Sequence, residues 1–326
     1  MGILRFILTA AHALIIVLLF GTIMNAYVSP AMLGFLNLLS LGFPVLMIIN
    51  ILFLLFWILS WKKRAVVFLL LSLFFIIPTR RWINYTPTPE EKPNLKLISL
   101  NAKSGKYGDE NIYDFLNAQN ADVLFTQEYS SSENLKGFEY FVREFPVVKI
   151  QSRFPVLKSG IVETDAKNGR CIYADILVNG KTIRFVNIYM EPFYLEKGMV
   201  QPEKSLEKNE EKFRKVLHML VPTFRKHQSQ LTPIKAFVDA SPYPVIVAGD
   251  FNAVPNSYEY YTVSENLQDA FLKVGKGSGT SFHDFKFPLK IDHVFASESI
   301  KPVSYRVDRS VTISDHFPVI AEFYIQ

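Results

Sequence analysis

The chain has 326 residues, 49% hydrophobic and 20% charged, with a formal net charge of +5 and a single cysteine. That apolar content excludes an intrinsically disordered chain, and a lone Cys171 excludes an internal disulfide framework. The basic excess is no nucleic-acid footprint: residues 1–84 hold no Asp or Glu and six of the 35 Lys and Arg, which leaves 29 basic residues against 30 acidic ones in 85–326.

Ile3–Val28 is a nearly unbroken apolar run, long enough to cross a hydrocarbon core of about 30 Å, and Ser29-Pro30 break it. A second run, Phe35–Trp61, carries Trp57 and Trp61 at a plausible headgroup level and Pro44 inside, which a membrane tolerates. Lys62-Lys63-Arg64 follow. A third run, Ala65–Ile77, spans only about 20 Å as helix; it either crosses with snorkelling ends or lies in the interface. A cleaved signal peptide fits poorly, because the first run is too long and two more follow it. Three crossings with Lys62–Arg64 in the cytoplasm put residues 85–326 outside, although Arg80 and Arg81 then also lie outside. Two crossings leave them in the cytoplasm. The expectation is an integral protein of the cell (inner) membrane, residues 1–84 forming an anchor of two to three transmembrane helices, with the larger part extracytoplasmic. His12, inside the first run, is expected to meet a neighbouring helix or the interface.

Residues 85–93, with the Pro-rich stretch Thr86–Pro93, read as a linker. The 94–326 segment is long enough for its own core. Leu95–Leu100 and Val123–Thr126 read as strands around a helix at Asp109–Gln119. Cys171–Val178 and Thr182–Ile188 flank Asn179-Gly180, a strong hairpin signal. The charged stretch Pro202–Arg225 is helical in spacing, and Ile234–Ala240 continues after Pro233. Pro244–Ala248, Lys290–Ala296 and Val319–Tyr324 are strand-like. The mixture of hairpins and strand–helix alternation indicates an α/β or α+β sandwich and not a doubly wound sheet. His218 and His227 are expected to be solvated, and His293 to face away from its neighbour Asp292 as a structural residue.

Polar residues recur at strand ends: Asn101, Glu128, Tyr189, Asp250 with Asn252, Asp292, and Asp315 with His316. Each alone has a structural explanation, as a turn residue, helix cap or satisfied buried carboxylate. Together they offer hard oxygen ligands and a base that titrates near neutrality, the set that metal-assisted phosphate-ester cleavage requires.

In order and context, ISLNAKS, VLFTQE, FVNIYM, GDFN, IDHVF and SDHFP, with smaller echoes in Ser152–Pro155 and Gly279-Thr280, resemble the endonuclease/exonuclease/phosphatase superfamily of metal-dependent phosphoesterases. The resemblance covers about 94–326 and implies an α+β fold, a four-layer α/β sandwich of two mixed β-sheets flanked by helices. It implies that Glu128, helped by Asn101 and Asp315, holds Mg²⁺ (or Mn²⁺), that Asp250 and Asn252 position the attacking water and grip the phosphate, and that His316, oriented by Asp292, acts as acid/base or stabilises charge. Tyr189 departs from the His that many members carry, is shared with apurinic endonucleases, and is assigned phosphate contact. The partners implied are the lipid bilayer and a phosphoester, either a lipid headgroup or small phosphoester or, alternatively, DNA; no protein partner is expected. A non-catalytic, membrane-tethered binding module is the remaining alternative. The segment after Tyr189, to Lys208, is where specificity is expected, as a lid or membrane-facing loop, unless it merely connects to the next helix.

Overall fold

The computed structural model of the chain describes residues 2–130, 135–285, 287 and 289–326. Residues 94–326 form two six-stranded sheets packed face to face. In spatial order the first holds Ile300–Val307, Val319–Ile325, Leu95–Asn101, Val123–Gln127, Val148–Ser152 and Tyr140–Phe145. The second holds Gln268–Asp269, Asp292–Ala296, Val245–Asp250, Lys181–Tyr189, Arg170–Val178 and Val156–Ile161. Both are mixed: Leu95–Asn101 runs parallel to Val123–Gln127, and Lys181–Tyr189 to Val245–Asp250. Their other pairings are antiparallel. Asn179 and Gly180 both take positive φ, 50° and 83°, which the tight hairpin between Val178 and Lys181 requires.

Side-chain alternation separates the layers. Leu95, Leu97, Val123 and Phe125 of the first sheet meet Ile183, Phe185, Ile246, Ala248 and Val294 of the second in the central core. Ile98, Leu100 and Leu124 turn outward onto helix Asp109–Ala118. Val186, Ile188, Val245 and Val247 turn outward onto Leu231, Ile234 and Val238 of helix Leu206–Asp239. Each sheet thus carries helix on its outer face, giving the four layers.

The N-terminal part is a bundle of three helical runs: Gly2–Met24, Phe35–Leu59, and Arg64–Ser72 continued through a 3₁₀ turn to Ile76–Arg80. The first two are long and apolar enough to cross a membrane. The bundle is apolar outside, and its core of Ile16, Leu19, Phe43, Trp57, Phe68 and Phe75 encloses a few polar side chains. Phe6, Val17, Ile48, Leu52, Val67 and Leu70 are exposed, whereas His12, Asn50 and Ser72 are buried. His12 accepts from Trp57 Nε1 (3.1 Å) and bonds Asn50 Oδ1 (2.9 Å), and Asn50 donates to Ser72 Oγ (3.0 Å), so His12 meets neighbouring helices.

One end of the bundle carries Arg64 beside Thr9 and the carbonyl of Arg5. The other end is docked on the sandwich through buried polar contacts. Asn25 Nδ2 and Ser40 Oγ donate to the carbonyl of Asn256 (3.0 and 2.6 Å), and Asn37 donates to Glu259 Oε2 (2.8 Å). Arg81 donates to Asn256 Oδ1 (2.9 Å) and stacks over Tyr260 and Tyr261. Ile83–Tyr85, which follows the bundle, pairs with Lys276–Ser278.

Several expectations need correction. Helix Leu206–Asp239 is continuous through Pro222 and Pro233, because burial of Leu220, Phe224, Leu231 and Ile234 on both sides of the prolines holds one axis. His218 is exposed, but His227 is not solvated: it is fully buried, bonded to Glu259 Oε1 (2.8 Å) and the carbonyl of Glu191 (2.7 Å). Its half of the helix lies against the second sheet and the bundle. Strands Tyr140–Phe145, Val148–Ser152, Val156–Ile161 and Ile300–Val307 were not anticipated. Asn256 sits at φ 67°, where a Cβ other than that of Asn is strained. Asn256→Ala is therefore expected to lower the unfolding free energy of the full chain in detergent by about 2–4 kcal/mol. Asn256→Gly, which relieves the backbone but not the lost hydrogen bonds, should lose less; equal losses would rule out the backbone contribution.

Candidate active site

The polar strand ends gather because of register. Tyr189 and Asp292 are both Cα partners of Asp250, so three adjacent strands of the second sheet place these residues on one rung. Asn101 is paired with Gln127 on the first sheet. All four positions follow the inward-facing parity of their strands. The two sheets are bolted together directly beneath this rung: Gln127 Nε2 donates to Asn187 Oδ1 (2.6 Å), and Asn187 Nδ2 donates to the carbonyls of Thr126 and Lys149 (3.2 and 2.9 Å), both side chains being fully buried.

Glu128, just past its strand, has φ 49°, and Asn252 has φ 45°. Such strained backbone is characteristic of functional positions. The Glu128 carbonyl is held by Ser104 N–H (2.6 Å). Glu128 Oε1 accepts from Tyr189 Oη and Asn101 Nδ2, both at 3.0 Å, and Asn101 Nδ2 also donates to Asp250 Oδ2 (2.9 Å). Asn101 Oδ1 accepts from Lys103 N–H (3.1 Å), so Asn101 bridges the two carboxylates with its amide nitrogen. Asn252 donates to Asp250 from its backbone (2.8 Å) and side chain (3.3 Å), and to the carbonyl of Met190 (3.1 Å). Opposite, His316 Nδ1 bonds Asp292 Oδ2 (2.8 Å), and its Nε2 lies 3.9 Å from Asp250 Oδ2. Asp315 accepts from Ser314 Oγ (3.1 Å) and pairs with Lys103 Nζ (3.3 Å). Five of the eight residues singled out in the sequence, Glu128, Tyr189, Asp250, Asn252 and His316, line one cleft, and Asn101, Asp292 and Asp315 bond or pair with residues that line it.

The electrostatics divide the groups. Burial pushes the Asp250 carboxyl up to about 7, with Asp292 adding to the rise and His316 opposing it. Burial would depress His316, but Asp292 and Asp250 outweigh it and raise the imidazole to about 10. Burial, with Glu128 and Asp250 nearby, holds the Tyr189 phenol far above its ordinary range, so it remains a neutral donor. Burial works against the Lys103 ammonium, yet Asp315, Glu128 and Asp250 keep it charged.

Sequence reasoning assigned no role to Lys103, Gln127 and Asn187, although each lies inside a quoted motif: Lys103 in ISLNAKS, Gln127 in VLFTQE and Asn187 in FVNIYM. The role of Gln127 and Asn187 lies in their contact with each other, which consecutive residues do not reveal.

A model described as the endonuclease/exonuclease/phosphatase family matches residues 94–316. The chain belongs to that family. Members of the endonuclease/exonuclease/phosphatase family are hydrolases of phosphoesters, and Asp250, Asp292 and His316 offer ligand atoms within 4.8 Å of one another, a possible metal site. A domain of unknown function matches residues 5–82. No curated protein matches in sequence. The fold is similar to the mannosyl-6-phosphatase of Bacteroides thetaiotaomicron (20% identity, TM-score 0.51, 71% of this chain and 100% of that one). It is also similar to D. rerio TDP2 complexed with a single-strand DNA product (15%, 0.52, 71% and 98%) and to an AP endonuclease from Archaeoglobus fulgidus (17%, 0.51, 71% and 100%).

His293, beside Asp292 in this family member, turns to the opposite face of the sheet and bonds the carbonyl of Ala253 (2.8 Å). Its Nδ1 is buried without a partner among the described residues. Burial first, then Lys290, holds its pKa down to about 4. Because the unfolded chain binds the proton from its ordinary value of 6.5 downward, stability is present above 6.5 and lost as pH falls from 6.5 toward 4. His293→Asn is expected to flatten the acid-side decline of the thermal midpoint in that window; an unchanged slope would remove His293 as its cause.

Proposed function

We infer that residues 94–326 hydrolyse a phosphoester at a membrane surface with the aid of a divalent cation, Mg²⁺ or Mn²⁺. The observation that carries this reading is one hydrogen-bonded array, Asn101–Glu128–Tyr189 with Asp250 and Asn252, facing the Asp292–His316 pair across a cleft.

The donor set suits a hard cation. Glu128, Asp250, Asp292 and Asp315 crowd one cleft, and the chain's own Lys103 ammonium lies among them, 3.3 Å from Asp315. Oxygen ligands in small number match Mg²⁺. Glu128 and Asp315 would hold the ion, with Asn101 steadying Glu128 beside it; Asp292 is engaged by His316. When bound, the ion supplies charge neutralisation at the phosphoryl and leaving oxygens. Asp250, with its pKa near neutrality, accepts the proton of the attacking water. His316, kept as imidazolium by Asp292, stabilises charge on the phosphoryl oxygens. Tyr189 and Asn252 donate hydrogen bonds that orient the phosphate.

The bundle supports placing this domain on the extracytoplasmic face. Three helical runs lead from the Arg64 end to the sandwich, and the positive-inside rule assigns Lys62–Arg64 to the cytoplasm. Arg80 and Arg81, which seemed to oppose this orientation, are tied to Asn84, Thr86 and Asn256 and serve docking.

Asp250→Ala and His316→Ala are each expected to reduce turnover of bis(4-nitrophenyl) phosphate at least a hundredfold, and Asp292→Asn by about 10²–10⁴ through the orientation of His316. Full activity in the first two folded variants would sink the assignment. EDTA should abolish turnover and added Mg²⁺ or Mn²⁺ restore it; turnover indifferent to EDTA would eliminate the metal.

A further inference from the structure

We propose that the substrate is an amphiphile: a phosphoester whose hydrocarbon chain lies in an apolar groove running from the acidic cleft past Leu41 of helix Phe35–Leu59 to Val200 and Val216. The inference rests on the phosphoesterase reading above and names its substrate class.

The cleft that contains Glu128, Tyr189, Asp250 and His316 has a second wall of different character, formed by Leu41, Leu195, Leu220, Phe282 and Leu289. An adjoining cavity shares Leu41, Leu195, Leu220 and Leu289 and runs on to Val200, Val216 and Phe287. Leu41 belongs to helix Phe35–Leu59, one of the two runs long enough to span a bilayer. One continuous apolar surface therefore joins the membrane segment to the reacting centre. At its open end Val200 and Phe287 are 40% and 37% exposed. The Lys197–Asp284 ion pair straps the segment after Tyr189 to the segment before Lys290 along the same groove.

Across the cleft Glu128 and Tyr189 also border a cavity of mixed lining, where Ser104, Asn168 and Arg170 stand beside Phe145, Pro146 and Val147. From the carboxylate cluster to Leu195 and Val216 the lining becomes apolar. A compact hydrophilic phosphoester leaves that apolar stretch in contact with water. A phosphoester with a hydrocarbon tail fills it, and apolar burial rewards the tail. Nucleic acid fits less well, because the lysines among the described lining residues, Lys103 and Lys197, are each paired with a carboxylate and form no basic track.

The test uses the full chain in nanodiscs with Mg²⁺ and bis(4-nitrophenyl) phosphate as reporter. Butyl, hexyl, octyl and decyl phosphate serve as competitors. The inhibition constant is expected to fall by about threefold per methylene over part of the series and at least tenfold in all. In Val216→Glu, and in the surface variant Val200→Glu, that ratio should shrink below threefold. A decyl phosphate bearing a terminal diazirine, added to Asp250→Ala protein, should label residues 195–220 or Phe285, Phe287 or Leu289. A wild-type series without chain-length dependence, a dependence that survives both variants, or labelling confined to the outer faces of the anchor helices would overturn the proposal. Labelling in the groove by a chain that hydrolyses no phosphoester would instead overturn the functional reading and leave the groove standing.

Discussion

The whole arrangement depends on how the two sheets are fixed against each other, and the contact that fixes them is polar. Gln127 meets Asn187 and Ser99 between the sheets where the apolar core ends beneath the site. A purely apolar interface tolerates sliding, because dispersion and burial are non-directional. A buried amide pair does not, since any slip leaves donors unpaired at a cost of about 1–3 kcal/mol each. Gln127 immediately precedes Glu128, and Asn187 lies two residues before Tyr189. The bond that sets the sheet register therefore also sets the 3.0 Å contact between Tyr189 and Glu128.

A similar logic joins the N-terminal bundle to the sandwich. The bundle exposes Leu, Ile, Val and Phe around its circumference and keeps its hydrogen bonds inside, a pattern compatible with an apolar solvent. At the docked end the polar groups change partner. Asn25, Asn37, Ser40 and Arg81 bond Asn256 and Glu259 of the sandwich. Glu259 in turn binds His227, which accepts no solvent and contacts the carbonyl of Glu191 at the root of the segment lining the cleft. The helical bundle thus forms part of the cleft wall, with Leu41 as its contribution.

Much of the fold was legible because it follows local rules. Alternation marked Leu95–Leu100 and Val319–Tyr324, the Asn-Gly pair marked the hairpin, and long apolar runs marked the anchor. What escaped notice lacked a local signature. Tyr140–Phe145 and Ile300–Val307 are edge strands with charged residues outward, and edge strands bury only part of their side chains. His227 looked solvated because its neighbours in sequence are charged; its burial comes from Glu259 and from a carbonyl 36 residues upstream.

By itself the sequence determined which residues end the strands, because period-two alternation and abrupt polar stops are properties of consecutive positions. With the family resemblance it named eight side chains, of which five line the cleft and three bond or pair with lining residues. Only the tertiary structure decided what surrounds them: the Lys103 ammonium among the carboxylates, the amide bolt beneath, and an apolar groove walled by a helix more than fifty positions away in the chain. Those features arise between segments distant in sequence, where contact depends on packing and register that no stretch of consecutive residues encodes.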